Sequence, residues 1–393
     1  IATADITPPV GATMVGYKPR KSTAQGHTLR AEALVCKDSA GRGWALITSD
    51  TIGYPRAYVQ DVRRLVAART SLAAEAVIVS GTHTHSGPAT SMFGDEELEP
   101  LDVEYLESLK ETLADLVARA WAAAAPATLE VAYTEAPALG SNRRIQQADG
   151  TWANEWNDPD GKHPGYFDPT VMLVGVRRPD KHLAALVVAY GCHPVVLGPD
   201  SFDISADYPG YMKDTLEAQR VAETVLFVNP GGANINPRVC IRVGAELPKT
   251  MGEALAAIVA PAVGKLSPIA SGEPRSHLQP WNIVRTRDAL KGQQSPGRRK
   301  GDTIASEIQA FRAGDLSLVS LPGELFSEYQ SMLREASPTE HTLPVSLAND
   351  YIGYFPTDEA QAQGAYEANM APAAGLEGML MDHAHKAFAA IAD

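Results

Sequence analysis

The sequence predicts an α/β protein of mixed β-sheets flanked by helices, and two observations carry that expectation. Short runs rich in Val, Ile and Leu alternate with longer stretches whose apolar residues recur at helical spacing. The composition, 45% hydrophobic and 21% charged over 393 residues, is that of an ordinary folded chain able to bury a sizeable core. No internal repeat divides the chain, and residues 1–393 read as a single domain.

The elements follow in order. Residues 44–50 form an apolar strand that ends on the carboxylate of Asp50. A helix rich in Arg and Ala begins near Ala57, and residues 76–80 form a second apolar strand that stops at Gly81. Residues 103–125 set Leu, Val and Ala against Glu, Lys and Asp at helical spacing, until Pro126 ends the run. Residues 171–176 and 183–190 are β-rich and separated by a polar turn, a hairpin whose second strand delivers Cys192 and His193. A helix over 208–222, a strand over 225–228 and a small-residue loop over 229–237 come next. An Ala-rich amphipathic helix spans 249–260, and 295–301 has the composition of an exposed loop. Residues 303–311 and 316–321 flank the turn Ala313, Gly314, Asp315 as a further hairpin that runs into Pro322, Gly323 and Glu324.

Charge and cysteine usage exclude several functions. A net charge of −13 repels a phosphate backbone or an anionic membrane surface, so neither nucleic acid nor stable membrane association is expected. Cys36, Cys192 and Cys240 show no CxxC spacing and read as buried thiols. No apolar run approaches a membrane span and no signal sequence opens the chain, so a cytoplasmic location is expected; a start at Ile1 leaves a removed signal peptide open.

The strongest local signal is Gly81-Thr82-His83-Thr84-His85-Ser86-Gly87-Pro88, placed directly after a strand. In extended chain, residues two apart face the same side, so His83 and His85 can share one cavity. Neutral imidazole is the commonest zinc ligand, yet spacing alone leaves two solvated loop histidines as an equal reading. His193 in Gly191-Cys192-His193-Pro194 also follows a strand, where α/β sheets place their ligands. Glu324, after a strand and a tight turn, is either a carboxylate ligand or an exposed helix N-terminal residue. Gly231-Gly232-Ala233 lacks the Gly-Lys-Ser/Thr of a phosphate loop, and Ser86 and Ser205 lack a nucleophile-elbow context. His383 and His385 lie on a C-terminal helix, where residues two apart diverge, and read as surface groups. The polar, aromatic stretch 152–163 reads equally as a substrate-facing loop or a plain surface loop.

Taken together, Gly81 to Pro88, Asn142-Arg143-Arg144, Gly191 to Pro194, residues 205–210, Asn234-Ile235-Asn236-Pro237, Pro322-Gly323-Glu324 and residues 349–354 resemble, in order, the neutral/alkaline non-lysosomal ceramidases. Residues 4–9 and 14–17 resemble that family's start. The resemblance implies a ceramidase-like zinc hydrolase fold, with one zinc per chain held by His83, His193, Glu324 and Tyr354. It leaves His85 behind the ligands or facing the substrate and sets Arg143 against the reacting carbonyl; an imidazole, which titrates near neutrality, suits His85 to a proton shuttle. Physics alone does not choose Tyr354 over Tyr351.

Two departures from the family stand out. Asn236 occupies the position of the family's serine, so hydrolysis is expected to use the metal's water, with Asn236 donating to the substrate. The family's additional C-terminal β-sandwich is not expected within this sequence. Asn142 and Asn234 are expected to bind substrate. Asp50, expected at the same site, is also placed to orient a ligand histidine. The expected activity is cleavage of an amide, or else an ester or lactone, in a small and polar substrate. True ceramidase activity and a non-catalytic zinc-binding role are the alternatives, and the oligomeric state stays open.

Overall fold

The apolar runs become the central strands of three sheets in the computed structural model, which describes residues 1–90, 98–289 and 299–392. The first sheet has the order Ala2–Asp5, Arg30–Lys37, Gly43–Ser49, Val77–Gly81, and only its last pair is parallel. The second runs Thr224–Val228, Leu183–Tyr190, Thr170–Arg177, Thr128–Glu135, Ser267–Pro268, parallel only in its first pair. The third runs Arg275–Val284, Thr303–Ala313, Leu316–Ser320, His341–Val345, again with one parallel pair at its end. The mixed sheets and both expected hairpins are therefore present.

Side-chain alternation along the second sheet explains the layering. Met172, Val174 and Val176 join a core shared with Leu46 of the first sheet and Phe311 of the third. Val171 and Leu173, on the opposite face, pack under helices Asp207–Ala218 and Glu246–Ala262 through Met212, Leu216, Leu255 and Val259. Helices Arg56–Arg69 and Pro100–Ala122 bury Val59, Val62, Leu113 and Val117 against the first sheet. Helix Leu376–Ala389 covers the third through Leu380, Ala384 and Phe388.

Element ends differ from the sequence expectation for local reasons. The expected 103–125 helix starts earlier, at Pro100, because proline suits the first helical turn, where its missing N–H costs nothing. The expected 208–222 helix stops at Ala218, since Arg220 turns to φ +56. The 249–260 helix extends to Glu246–Ala262 and carries Pro261 in its last turn. Of the expected loop 295–301, residues 295–298 lie outside the described residues, while 299–301 form a turn. On the C-terminal helix His385 is exposed as expected, but His383 is half-buried and stacks on Trp281 at 5.3 Å.

The three parallel pairs position the site. Their strands end at Ser49, Gly81, Tyr190, Val228, Ser320 and Val345, and the segments that follow gather in one place, as ligand sites do at carboxyl ends of strands. No helix among the described residues is long and apolar enough to cross a membrane.

Candidate metal centre

The backbone reaches the centre by close approaches that constrain the sequence. A Cβ on Gly81 would stand 2.7 Å from both Gly53 N and Thr51 O, so glycine is required where the strand leaves the sheet. Two residues on, His83 adopts φ +77, a strained conformation for a residue with a Cβ. It is held there by its N–H donating to Thr51 O at 2.9 Å and by Nδ1 against Ile52 O at 2.8 Å. His193 is fixed likewise, with Nδ1 at 2.7 Å from Gly232 O. A Cβ on Gly323 would lie 2.3 Å from Gly353 O, and that contact lets Glu324–Leu325 pair in parallel with Tyr354–Phe355, Glu324 opposite Tyr354.

Proton positions follow from these bonds. A carbonyl only accepts, so His83 and His193 each carry their proton on Nδ1 and turn an Nε2 lone pair inward. Both lone pairs meet Glu324 Oε2, at 3.4 Å from His83 and 3.1 Å from His193. Burial and then Arg143 lower His193 to about 4, so its imidazole is neutral. Two imidazole lone pairs and a carboxylate oxygen facing one another are all acceptors, an arrangement that a cation satisfies. The donor set therefore fits a metal cation.

His85 stands at the edge of this cluster. Its Nε2 is 3.3 Å from His83 Nε2, and the three histidines offer ligand atoms within 4.8 Å of one another. Its Nδ1 is buried with no hydrogen-bond partner. Gly16 packs so tightly on the ring that a Cβ there would lie 2.5 Å from Cγ, while the Tyr17 ring meets it edge-on at 5.0 Å. Burial, then the neighbouring His83, depress its pKa well below the ordinary imidazole value.

Arg143 closes the other side. Nε donates to Glu367 Oε1 at 2.8 Å, Nη1 to Asn236 Oδ1 at 3.1 Å and Nη2 to Tyr354 Oη at 3.3 Å. Glu367, fully buried, also accepts from Arg144 Nη1 and Asn154 Nδ2. Trp156, Tyr354 and Tyr366 surround the guanidinium, with ring centroids 5.1 to 5.9 Å away.

His83, His85, His193, Glu324, Tyr354 and Arg143 are thus brought together. The other expected site residues are corrected. The Asp50 carboxylate is fully buried, binds Lys213 Nζ at 2.9 and 3.0 Å and accepts from Arg30 N, so it reaches neither a histidine ring nor a substrate. Asn142 donates to Tyr166 O and accepts from Arg144 N, and Asn234 donates to Glu328 and accepts from Ser327 N. Both amides hold loops in place, each through one donated and one accepted bond. Asn236 has its oxygen on Arg143 and its NH2 on Trp156 O and Cys240 Sγ, so it orients the site instead of donating to a substrate.

The sequence left Tyr351 as the alternative to Tyr354, and its hydroxyl donates to Glu324 Oε1 at 2.5 Å; Glu367 was missed altogether. For Glu367 the available signal was indirect: two adjacent arginines, Arg143 and Arg144, next to a buried segment need an acidic partner, though nothing local says which.

Comparison with known proteins agrees with this architecture. The family described as neutral/alkaline non-lysosomal ceramidase, N-terminal, matches residues 1–277. The fold is similar to that of a neutral ceramidase from Pseudomonas aeruginosa, with TM-score 0.79 and 18% identity over 98% of this chain and 73% of the other. It is similar also to a ceramidase complexed with C2, with TM-score 0.80 and 18% identity over 98% of this chain and 74% of that one. No curated protein matches the chain significantly in sequence. The match over most of the chain's length shows that it belongs to the neutral/alkaline non-lysosomal ceramidase family, a family of hydrolases.

Proposed function

We propose that the chain is a zinc-dependent hydrolase that cleaves an amide bond in a small, polar substrate. The observation that carries the reading is the convergence of the His83 and His193 lone pairs on the buried Glu324 carboxylate, an assembly of acceptors with a cation's place between them. His83, His193 and Glu324 would hold the ion, and Tyr354, paired with Glu324 across two parallel strands, would complete the set. Zinc bound there supplies Lewis acidity, polarising a carbonyl and acidifying water.

The remaining chemistry belongs to the protein's own side chains. His85, kept neutral by burial, takes a proton at Nε2 from the attacking water and returns it to the leaving nitrogen. Arg143 keeps its charge beside Glu367 and Tyr354, and its N–H groups beyond those bonds face the developing oxyanion. Burial and then the Glu324 charge raise the Tyr351 and Tyr354 phenols well above their ordinary value. Asn236 offers no nucleophile, which favours direct attack by water over a covalent intermediate. A polar substrate fits the loop bordering Arg143, which exposes Glu155, Asp160 and Lys162.

Activity on a panel of short- and long-chain N-acyl amides, esters and lactones, before and after chelation, tests the reading. Chelator-sensitive cleavage of a short polar amide is the expected result. Zinc without turnover on any member would leave a binding protein.

A further inference from the structure

Trp156 is an exposed aromatic with an unusually fixed backbone. Its carbonyl accepts from Asn236 Nδ2 at 3.2 Å and from Cys240 Sγ at 2.9 Å. The residues on either side are tied as well: Glu155 N donates to Arg143 O at 2.8 Å, and Asn157 Oδ1 accepts from Cys240 N at 2.9 Å. Yet the residue is 38% exposed, and Tyr366 beside it 42%. The two rings meet at 80° with centroids 5.8 Å apart, forming a corner of two aromatic walls, and both contact the Arg143 guanidinium from the solvent side. A rigid, open aromatic face next to a buried arginine loses little entropy when a ligand lies on it, which is what a stacking platform requires.

We infer that Trp156 is a specificity-determining residue whose indole, cornered by Tyr366, seats a compact ring-shaped group of the substrate, such as a sugar ring, beside Arg143. The inference rests on the amide-hydrolase reading above and deepens it. A perpendicular corner matches a disc that lays one face on the indole and one edge on the tyrosine, whereas a flexible acyl chain gains nothing from the right angle. Exposed Glu155 in the same loop supplies a hydroxyl acceptor at the rim.

Asn236 is the positioning residue for this platform. Its oxygen holds Arg143 and its nitrogen holds Trp156, so one side chain sets the distance between the oxyanion-facing cation and the stacking face. A serine, the residue that the family resemblance places here, ends in a single atom one bond closer to the backbone and does not span both. The departure from the family pattern therefore carries a physical consequence: Asn236 ties the Trp156 carbonyl to Arg143 through one side chain.

The test uses the zinc-loaded protein with three probes: N-acetyl-D-glucosamine, N-acetylethanolamine and N-decanoylethanolamine. Wild type should favour the ring-bearing amide in kcat/KM. Trp156→Ala should shrink that preference about tenfold, chiefly through KM, with metal content and Tm held. Asn236→Ser should move selectivity the same way. A preference for the decanoyl amide, or a ring preference that survives Trp156→Ala, would overturn the inference. If no probe is hydrolysed, calorimetric titration with N-acetyl-D-glucosamine separates the two ideas. Binding that Trp156→Ala abolishes keeps the platform while the hydrolase reading fails, and no binding to wild type removes the platform.

Discussion

The imidazole of His85 differs from those of His83 and His193 in one respect: no carbonyl holds it. His83 and His193 spend Nδ1 on Ile52 O and Gly232 O and are committed to an inward lone pair, whereas His85 Nδ1 has no partner. A ligand histidine is normally locked by such a bond, and a proton carrier must be able to change its protonation. His83→Ala should therefore lose both metal and turnover, while His85→Ala should keep its metal and lose about 10²–10⁴-fold in kcat. Metal analysis beside steady-state kinetics separates the two, and loss of metal from His85→Ala would make it a ligand. His83, His193 and Glu324 were candidates because each closely follows an apolar strand, and the family resemblance joined them with Tyr354 into one set. Asp50 shares that context, Asn142 ends the short strand Gly140–Asn142 and Asn234 lies in a loop beyond a strand, yet all three serve other partners, since such a polar side chain is equally suited to a loop's backbone groups or to a buried cation. Tyr351 and Tyr354, three residues apart in a segment without regular period, were separable only through the family resemblance; the structure pairs Glu324 with Tyr354 along the backbone and with the Tyr351 hydroxyl through its side chain.

The elements behind the site are tied by buried charge. Lys213 of helix Asp207–Ala218 is fully buried and binds Glu32 at 2.9 Å and Asp50 at 2.9 Å, joining that helix to two strands of the first sheet and to the segment that presents Thr51 O and Ile52 O to His83. Lys213→Met removes the buried cation that Glu32 and Asp50 share, leaving Arg30 as the cation beside Glu32, and should cost about 3–5 kcal/mol in denaturant unfolding; a change under about 1 kcal/mol would show the cluster to be loosely held.

Asp207, at the start of the same helix, accepts from Leu197 N and Tyr208 N, and burial raises its carboxyl to about 6 from an unfolded value of 3.8. The folded state thus binds this proton more tightly than the unfolded chain. Its contribution is full below pH 3.8 and is lost as pH rises through 6. Asp207→Asn cannot ionise, so its stability relative to wild type should improve by on the order of 3 kcal/mol between pH 3 and pH 7. A difference that stays flat across that window would contradict the shift. Neither tie was visible in the sequence, because a lone Lys in an amphipathic helix reads as solvent-facing until the helix has a packing partner.

At the scale of the molecule, three mixed sheets share a core and turn the carboxyl ends of their parallel pairs to one point. Strand existence and the hairpins were legible because apolar runs and turn residues are local signals. The convergence was not, because it depends on which strands pair in parallel, as when Val77–Gly81 joins Gly43–Ser49 across an intervening helix. The family resemblance supplied what local pattern could not, by setting distant motifs in order. A metal held at this point of convergence is what the proposed chemistry requires. The most direct measurement is metal content of the purified protein by mass spectrometry, paired with Tm before and after chelation and zinc restoration. One zinc per chain, with a Tm that falls on chelation and returns with zinc, is the expected result, since an ion bound only by the folded state stabilises it. A protein that carries no metal, and whose Tm is indifferent to added zinc, would contradict it.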